Sequence, residues 1–128
     1  MTDAAVLDAS ALMAFLRREP GRDRVESVLD RAQISAVNLA EVVAKAVDRG
    51  GTLEAIDASL AQLPLRVIPF TPDDALISGS LRAATRPKGL SLGDRCCLAL
   101  GVRTGLPVLT TEGKWREIDV GVQVEVIR

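Results

Sequence analysis

Short apolar segments alternate with helical stretches along the whole chain, and this alternation limits the possible folds more than any other feature. Five segments have strand character, and the last of them alternates with period 2 as an edge strand does: residues 4–7, 34–37, 66–69, 107–110 and 122–126. Such strands with helices between them are typical of a parallel sheet covered on both faces. We expect one domain over residues 1–128, a three-layer α/β/α fold with a central, mainly parallel sheet of about five strands.

Capping residues mark where several helices begin. A helix is predicted to open at Ser10, and Asn38 is predicted to cap a second, amphipathic helix. Thr71 precedes a helix that we expect to run to about residue 85. Ser91 caps a nearly all-apolar helix that ends at Gly105, and its lack of a polar face predicts a central position in the fold.

The composition excludes several kinds of chemistry. The chain has no His, two Cys and a formal net charge of −1. Without imidazole there is no Ser-His-Asp or Cys-His catalysis, no His acid–base chemistry and no His-containing zinc site. The near-zero charge means that nucleic acid would be bound by a local patch or through bridging cations. Any catalysis must therefore use carboxylates, Lys or Arg, hydroxyls or the thiols.

The cysteines and the first residues indicate the compartment. Cys96 and Cys97 are adjacent within an apolar helical stretch, which predicts buried structural thiols rather than a disulfide framework or a metal site. The chain opens without the basic region of a signal peptide, and no run of about 18 apolar residues is free of charge. We expect a cytoplasmic protein with no membrane contact.

Four acidic residues are predicted to meet at one edge of the sheet. Asp8 follows the first strand and Glu112 the fourth, whereas Glu41 and Asp94 lie near the beginnings of two helices. Each acid also has a purely structural interpretation. Glu41 fits a capping box or a pair with Lys45, Asp94 fits a capping box, and Asp8 and Glu112 fit turns.

Like charges at short range favour a bound cation. Two carboxylates about 4 Å apart repel by roughly 4 kcal/mol at an effective dielectric constant of 20, so a shared cleft needs positive charge. An all-oxygen site suits Mg²⁺ or Mn²⁺. Carboxylate-held Mg²⁺ can activate water and neutralise a phosphodiester without any histidine.

Four blocks of the sequence resemble a known family in order and spacing. The blocks are Val6 to Ala11, Ser35 to Val42, Leu90 to Arg95 and Leu109 to Trp115. They resemble the four conserved blocks of PIN-domain ribonucleases, and among these they are most similar to the VapC toxins of bacterial toxin–antitoxin pairs. The resemblance spans essentially the whole chain.

That resemblance implies a Mg²⁺-dependent endoribonuclease, with Mn²⁺ as a substitute, that acts as a toxin. It also implies inhibition by a small VapB-type antitoxin and a homodimer. Asp8, Glu41 and Asp94 match the family's three core metal-binding acids, and Glu112 matches the fourth catalytic acid. The family commonly has Asp there, so three roles for the longer Glu112 remain open: a water-mediated contact with the metal, direct ligation, or a turn.

Contacts to RNA are predicted to be mostly with phosphates. Ser10 and Thr110 match hydroxyl positions near the site, although both could make only local hydrogen bonds. Arg86 and Lys88 lie in a segment without acids and could bind phosphate beside Asp94, or could simply be solvated. The three aromatic residues are too few for a base-stacking platform.

Other functions of an acidic sheet edge fit less well. A receiver domain would have paired acids after the first strand, and a haloacid-dehalogenase-type phosphatase would have Asp-x-Asp, whereas Asp8 is followed by Ala9 and Ser10. An inactive PIN-like interaction module would keep the fold and lose the acids. Metal binding would discriminate this last alternative from the ribonuclease.

Overall fold

The computed structural model describes residues 4–128 and contains a five-stranded sheet. The spatial order is β3-β2-β1-β4-β5, and every neighbouring pair is parallel. The strands are β1 (Ala5–Leu7), β2 (Ala32–Ser35), β3 (Arg66–Ile68), β4 (Val108–Thr110) and β5 (Val124–Val126). The predicted parallel sheet and the edge position of the last strand are confirmed.

Helices connect the strands and cover both faces of the sheet. They are α1 (Ala9–Leu16), α2 (Arg22–Val28), α3 (Ala36–Asp48), α4 (Leu53–Ala61), α5 (Pro72–Ser80), α6 (Arg82–Thr85) and α7 (Leu92–Thr104). Three short 3₁₀ turns follow α2, α6 and β4: Leu29–Arg31, Arg86–Lys88 and Gly113–Trp115. Within the described residues, no helix is both long enough and apolar enough to cross a membrane.

The alternation of side chains in β1 separates two cores. Ala5 and Leu7 pack with apolar residues of α1, α2 and α3. Val6 points to the other face, where it packs with Cys97 of α7 and with Trp115, which is fully buried. This two-sided burial is what a three-layer α/β/α fold requires, and it confirms the predicted fold class.

Helix α7 is the central helix, as its composition predicts. Residues 95–101 are all buried, and Gly105 ends the helix in the left-handed conformation at φ 74°. A Cβ on Gly101 would lie 2.6 Å from Val108 Cγ2, so glycine allows the helix to approach the sheet closely. Both cysteines are buried and free, as expected.

The predicted start of α3 is wrong by three residues. Strand β2 ends at Ser35 rather than at residue 37, and Ser35 caps the helix by accepting a hydrogen bond from Val37 N at 3.2 Å. Ser35 and Asn38 are both good capping residues. The pairing of β2 with β3 ends opposite Ile68, which leaves Ser35 at the strand-to-helix junction. Asn38 instead lies in the first turn and is only 1% exposed.

Other boundaries shift by smaller amounts. The helix predicted from residue 71 to about 85 is interrupted at Leu81 and forms α5 and α6. The capping boxes of Thr71 with Asp74 and of Ser91 with Asp94 are present as predicted. Helix α1 begins one residue before Ser10, because the side chain of Asp8 is its N-cap.

Candidate active site

Asp8, Glu41, Asp94 and Glu112 line one small cleft at the carboxyl edge of the sheet. Asp8 follows β1, Glu112 lies two residues beyond β4, Asp94 is in the first turn of α7 and Glu41 is in the second turn of α3. The cleft has a volume of about 160 Å³ and combines these carboxylates with two lysines and two serine hydroxyls. Its lining residues are Asp8, Ala9, Ser10, Glu41, Lys45, Ser91, Asp94, Glu112 and Lys114.

Asp8 is held on both of its oxygens. Ser10 Oγ and Ala11 N donate hydrogen bonds to Asp8 Oδ1 at 2.7 and 2.8 Å, and Thr110 Oγ1 donates to Oδ2 at 2.6 Å. Thr110 Oγ1 also accepts a hydrogen bond from Glu112 N at 3.1 Å. The hydroxyls of residues 10 and 110 therefore couple β1, β4 and α1 around a single carboxylate.

Burial disfavours the ionised form of Asp8. Desolvation raises the pKa of Asp8 from 3.8 to about 6, despite the opposing hydrogen bonds from Thr110, Ser10 and Ala11. The negative charge of Asp94 makes a smaller contribution to the same increase in pKa. At neutral pH the charged form is thus present but poorly solvated, and a nearby cation would stabilise it.

Glu41 is positioned by Asn38 and by a glycine of the neighbouring helix. Asn38 Nδ2 donates to Glu41 Oε1 at 2.8 Å and to the carbonyl of Gly93 at 2.9 Å, which ties α3 to α7. A Cβ on Gly93 would lie 2.7 Å from Glu41 Cδ and would also collide with Oε2. Glycine at position 93 therefore makes room for the Glu41 carboxylate.

The structural interpretations of Glu41 do not hold. Because Ser35 caps α3, Glu41 lies too far along the helix to take part in a capping box. Among the ion pairs of the described residues, none joins Glu41 to Lys45 within 4 Å. The carboxylate is instead turned toward Gly93 and the cleft.

Asp94 has a structural role and also lines the cleft. Its Oδ2 accepts a hydrogen bond from Ser91 N at 2.9 Å, and Asp94 N donates to Ser91 Oγ at 3.2 Å. Lys114 Nζ lies 3.8 Å from the same Oδ2 and 3.8 Å from Glu112 Oε2. The two interpretations of Asp94 are therefore compatible.

The sequence did not indicate that lysines would line the cleft. Lys114 stands two residues after Glu112, so its place inside the fourth sequence block was the available signal. Arg86 and Lys88 are not part of the lining, and Lys88 pairs instead with Glu117 at 3.8 Å. Their segment nevertheless adjoins the cleft, because Lys114 Nζ donates to the carbonyl of Gly89 at 3.5 Å.

The donors of the cleft fit a hard divalent cation in chemistry, although they do not converge on one point. Within residues 4–128, no three carboxylates or thiols already form a group that could hold a metal ion. The cleft is lined by carboxylates and hydroxyls, which Mg²⁺ and Mn²⁺ accept, and it has two more carboxylates than ammonium groups. Mg²⁺ usually keeps several waters and binds through only one or two carboxylates.

Cys97 lies beneath this cleft without joining its chemistry. Desolvation raises its pKa well above the usual value, and the charges of Asp8, Asp94 and Glu41 raise it further. The thiol therefore stays protonated and is a poor nucleophile and a poor metal ligand.

A family model supports the resemblance carried by the four sequence blocks. The model of the PIN domain matches residues 5–121. The chain belongs to the PIN domain family. Comparison with curated protein sequences found no match.

Solved structures with a similar fold include a toxin–antitoxin complex, a toxin and a member of a family of toxin–antitoxin systems. A toxin–antitoxin complex from Klebsiella pneumoniae has a TM-score of 0.73 and 21% identity, covering 93% of this chain and 95% of that one. VapC20 of Mycobacterium tuberculosis, described as a Sarcin-Ricin loop cleaving toxin, has a TM-score of 0.70 and 18% identity, covering 86% and 91%. VapBC-5 of the same organism has a TM-score of 0.64 and 26% identity, covering 98% of both chains.

Proposed function

We propose that this PIN domain is a Mg²⁺-dependent endoribonuclease and the toxin of a toxin–antitoxin pair. The observation that carries the proposal is the cleft into which four different elements bring Asp8, Glu41, Asp94 and Glu112. Description of the similar VapC20 as a toxin that cleaves the Sarcin-Ricin loop supports RNA as the substrate class.

Asp8, Glu41 and Asp94 would hold the cation, and each is already fixed by the protein. Asp8 is held by three hydrogen bonds, Glu41 by Asn38 and Asp94 by its capping box. When bound, Mg²⁺ or Mn²⁺ supplies activation of water and neutralisation of the phosphodiester charge.

We propose that Glu112 would act on the cation through a water molecule and not as a direct ligand. Its side chain is 41% exposed at the rim, and its backbone N–H is fixed by Thr110 Oγ1. The carboxylate is thus farther from the buried end of the cleft than Asp8, whose exposure is 4%. Direct ligation and a purely structural role are the alternatives that a substitution series separates.

Phosphates of the RNA would approach from the side of the Arg86–Lys88 turn. Both side chains belong to exposed residues, and the following Gly89 carbonyl contacts Lys114 at the cleft. Phosphate contacts from two basic residues would orient the RNA and make its binding salt-dependent, but they would not recognise particular bases.

A VapB-type antitoxin and a second copy of the chain are the proposed protein partners. The similar solved structures include a toxin–antitoxin complex and a member of the VapBC family. We expect the antitoxin to insert a cationic side chain, most simply Arg, into the cleft. A guanidinium group pairs with two carboxylate oxygens at once and would compete with the metal.

Cleavage of RNA by the purified protein tests the proposal. The wild type, Asp8→Asn, Asp94→Asn and the control Asp73→Asn are incubated with total RNA in Mg²⁺ and in excess chelator. Asp73 is exposed in the first turn of α5 and does not line the cleft. We expect cleavage by the wild type and Asp73→Asn in Mg²⁺ only, and none by the two cleft variants.

Two results would contradict the proposal. Full activity in excess chelator would exclude the metal, and normal cleavage by both cleft variants would exclude the cleft. Absence of cleavage together with tight binding to a protein partner would favour the interaction module instead.

A further inference from the structure

Lys114 occupies a place in the cleft that the proposed reaction does not use. It lies in the 3₁₀ turn Gly113–Trp115, where the fully buried Trp115 anchors the backbone. Its side chain is 41% exposed, so the stem is partly covered while the ammonium group reaches the cleft. The anchored backbone of the turn therefore keeps the Lys114 side chain beside the cleft.

The ammonium group bridges two acids that belong to different elements. Nζ lies 3.8 Å from Asp94 Oδ2 at the start of α7 and 3.8 Å from Glu112 Oε2 after β4. It also donates to the Gly89 carbonyl at 3.5 Å. A single positive charge thus offsets two negative charges that would otherwise repel each other across the cleft.

These ion pairs of Lys114 add little to the free energy of unfolding, but they compete with any cation that binds the same carboxylates. Partly exposed ion pairs contribute little to the free energy of unfolding, so Lys114 is not needed to hold the fold. Its charge nevertheless opposes the entry of any further cation beside the same carboxylates. The second lysine of the cleft, Lys45, makes no ion pair within 4 Å in the described part of the chain.

We propose that Lys114 is an internal counter-cation of the cleft. It pairs with Asp94 and Glu112 in the metal-free protein and gives way when a divalent cation binds, so it sets the metal concentration that the protein requires. This inference rests on the proposed function, because it presumes that the cleft binds a divalent cation.

Binding of Mn²⁺ to the intact protein, measured by calorimetry and by the electron paramagnetic resonance of free Mn²⁺, tests the inference. The proteins are the wild type, Lys114→Gln, Lys114→Arg and Arg66→Gln. Arg66 is exposed on the edge strand β3, so its substitution removes one positive charge away from the cleft.

We expect Lys114→Gln to bind Mn²⁺ more tightly by roughly 30-fold, the factor for removing a unit positive charge about 4 Å from a divalent cation with water-like screening. The gain should shrink at high salt, because salt screens exposed charges. Lys114→Arg keeps the charge and should bind like the wild type, as should Arg66→Gln.

Each contrary result has a separate meaning. Unchanged or weaker Mn²⁺ binding by Lys114→Gln, with normal binding by the wild type, would overturn the inference and leave the proposed function standing. A similar gain in Arg66→Gln would also overturn it, since the effect would come from net charge alone. Absence of Mn²⁺ binding by every protein, including the wild type, would overturn the proposed function and the inference together.

Discussion

Asp8 combines burial, three hydrogen bonds and a neighbouring acid, and its ionisation should therefore govern the stability of the metal-free protein. Its pKa is about 6 in the folded protein against 3.8 for the ordinary group. Below about pH 4 the group is protonated in both states. Between about pH 4 and pH 6 the unfolded chain ionises at this position while the folded protein remains protonated, so the free energy of unfolding falls, and the loss is complete above pH 6.

Asp8→Asn should consequently stabilise the metal-free protein at neutral pH. We expect a gain of up to about 3 kcal/mol at pH 7.5, corresponding to about two pKa units, and almost none at pH 4. Urea unfolding with excess chelator at the two pH values measures it, with Asp73→Asn as the control. An equal effect of Asp8→Asn at both pH values would contradict the assigned ionisation of Asp8.

Glu112→Gln should slow RNA cleavage by roughly 10- to 100-fold, the usual range for groups that act on a metal through an intermediate. Asp8→Asn should be far more damaging. Single-turnover cleavage rates at saturating Mg²⁺ compare the two variants. Equal losses would identify Glu112 as a direct ligand, and no loss would leave it only the role of a turn residue.

At this scale the four acids could be predicted from the sequence, whereas the residues that contact them could not. All four acids were predicted to share one edge, because strand ends and helix starts can be recognised from local patterns. Asn38 was interpreted as a helix cap. Its actual role, a hydrogen bond to the carbonyl of Gly93, joins residues 55 apart and cannot be recognised from the local sequence. Lys114 was overlooked as a cleft residue because its distance to Asp94 depends on how α7 and β4 pack together.

At the scale of elements, Gly93 and Gly101 of α7 allow the helix to approach its neighbours closely. Gly93 faces Glu41 of α3, and Gly101 faces Val108 of β4. Gly93→Ala would add a Cβ where the Glu41 carboxylate lies, so Glu41 must move. We expect cleavage to fall by roughly 10- to 100-fold, as when a positioning partner is removed. Gly79→Ala in α5 is the matched control, because a Cβ there meets nothing within 4 Å.

The control Gly79→Ala should be more stable than the wild type and equally active, whereas Gly93→Ala should lose activity. Alanine is favoured over glycine within a helix by about 1 kcal/mol, so Gly79→Ala should keep its cleavage rate and unfold at a higher urea concentration. Unimpaired cleavage by Gly93→Ala would show that Glu41 tolerates displacement or is not needed.

The boundaries of elements were the part of the fold that sequence patterns located least well. Serine and asparagine are both favoured at helix N-caps, and the pairing of β2 with β3 decides that Ser35 and not Asn38 caps α3. Helix α7 was located correctly because Ser91 and Gly105 mark its two ends. Local signals therefore sufficed wherever a single cap was available.

At the scale of the whole molecule, the sequence predicted the layers but not the order of the strands. Parallel pairing follows from the intervening helices, whereas the order β3-β2-β1-β4-β5 depends on contacts between distant segments. Helix α1 leaves little apolar surface exposed. Leu12 is fully buried in the core, and Leu16 is 37% exposed.

We expect a homodimer in solution, with apolar side chains outside α1 contributing to the interface. Leu53, Leu76 and Leu92 are 69%, 75% and 61% exposed and are therefore available for contact with a partner. Light scattering should give twice the chain mass of 13.6 kDa. A monomer mass that does not change with concentration would contradict this expectation.

The most direct test of the central claim, that RNA is cut in the carboxylate cleft, is to map new 5′ ends of cellular RNA after induced expression. The wild type is compared with Asp94→Asn and with Asp73→Asn. Asparagine keeps a side-chain oxygen that can accept the capping-box hydrogen bond from Ser91 N, so Asp94→Asn should still fold. We predict the same discrete set of cuts for the wild type and Asp73→Asn and none for Asp94→Asn at equal protein levels; identical cuts in all three would contradict the claim.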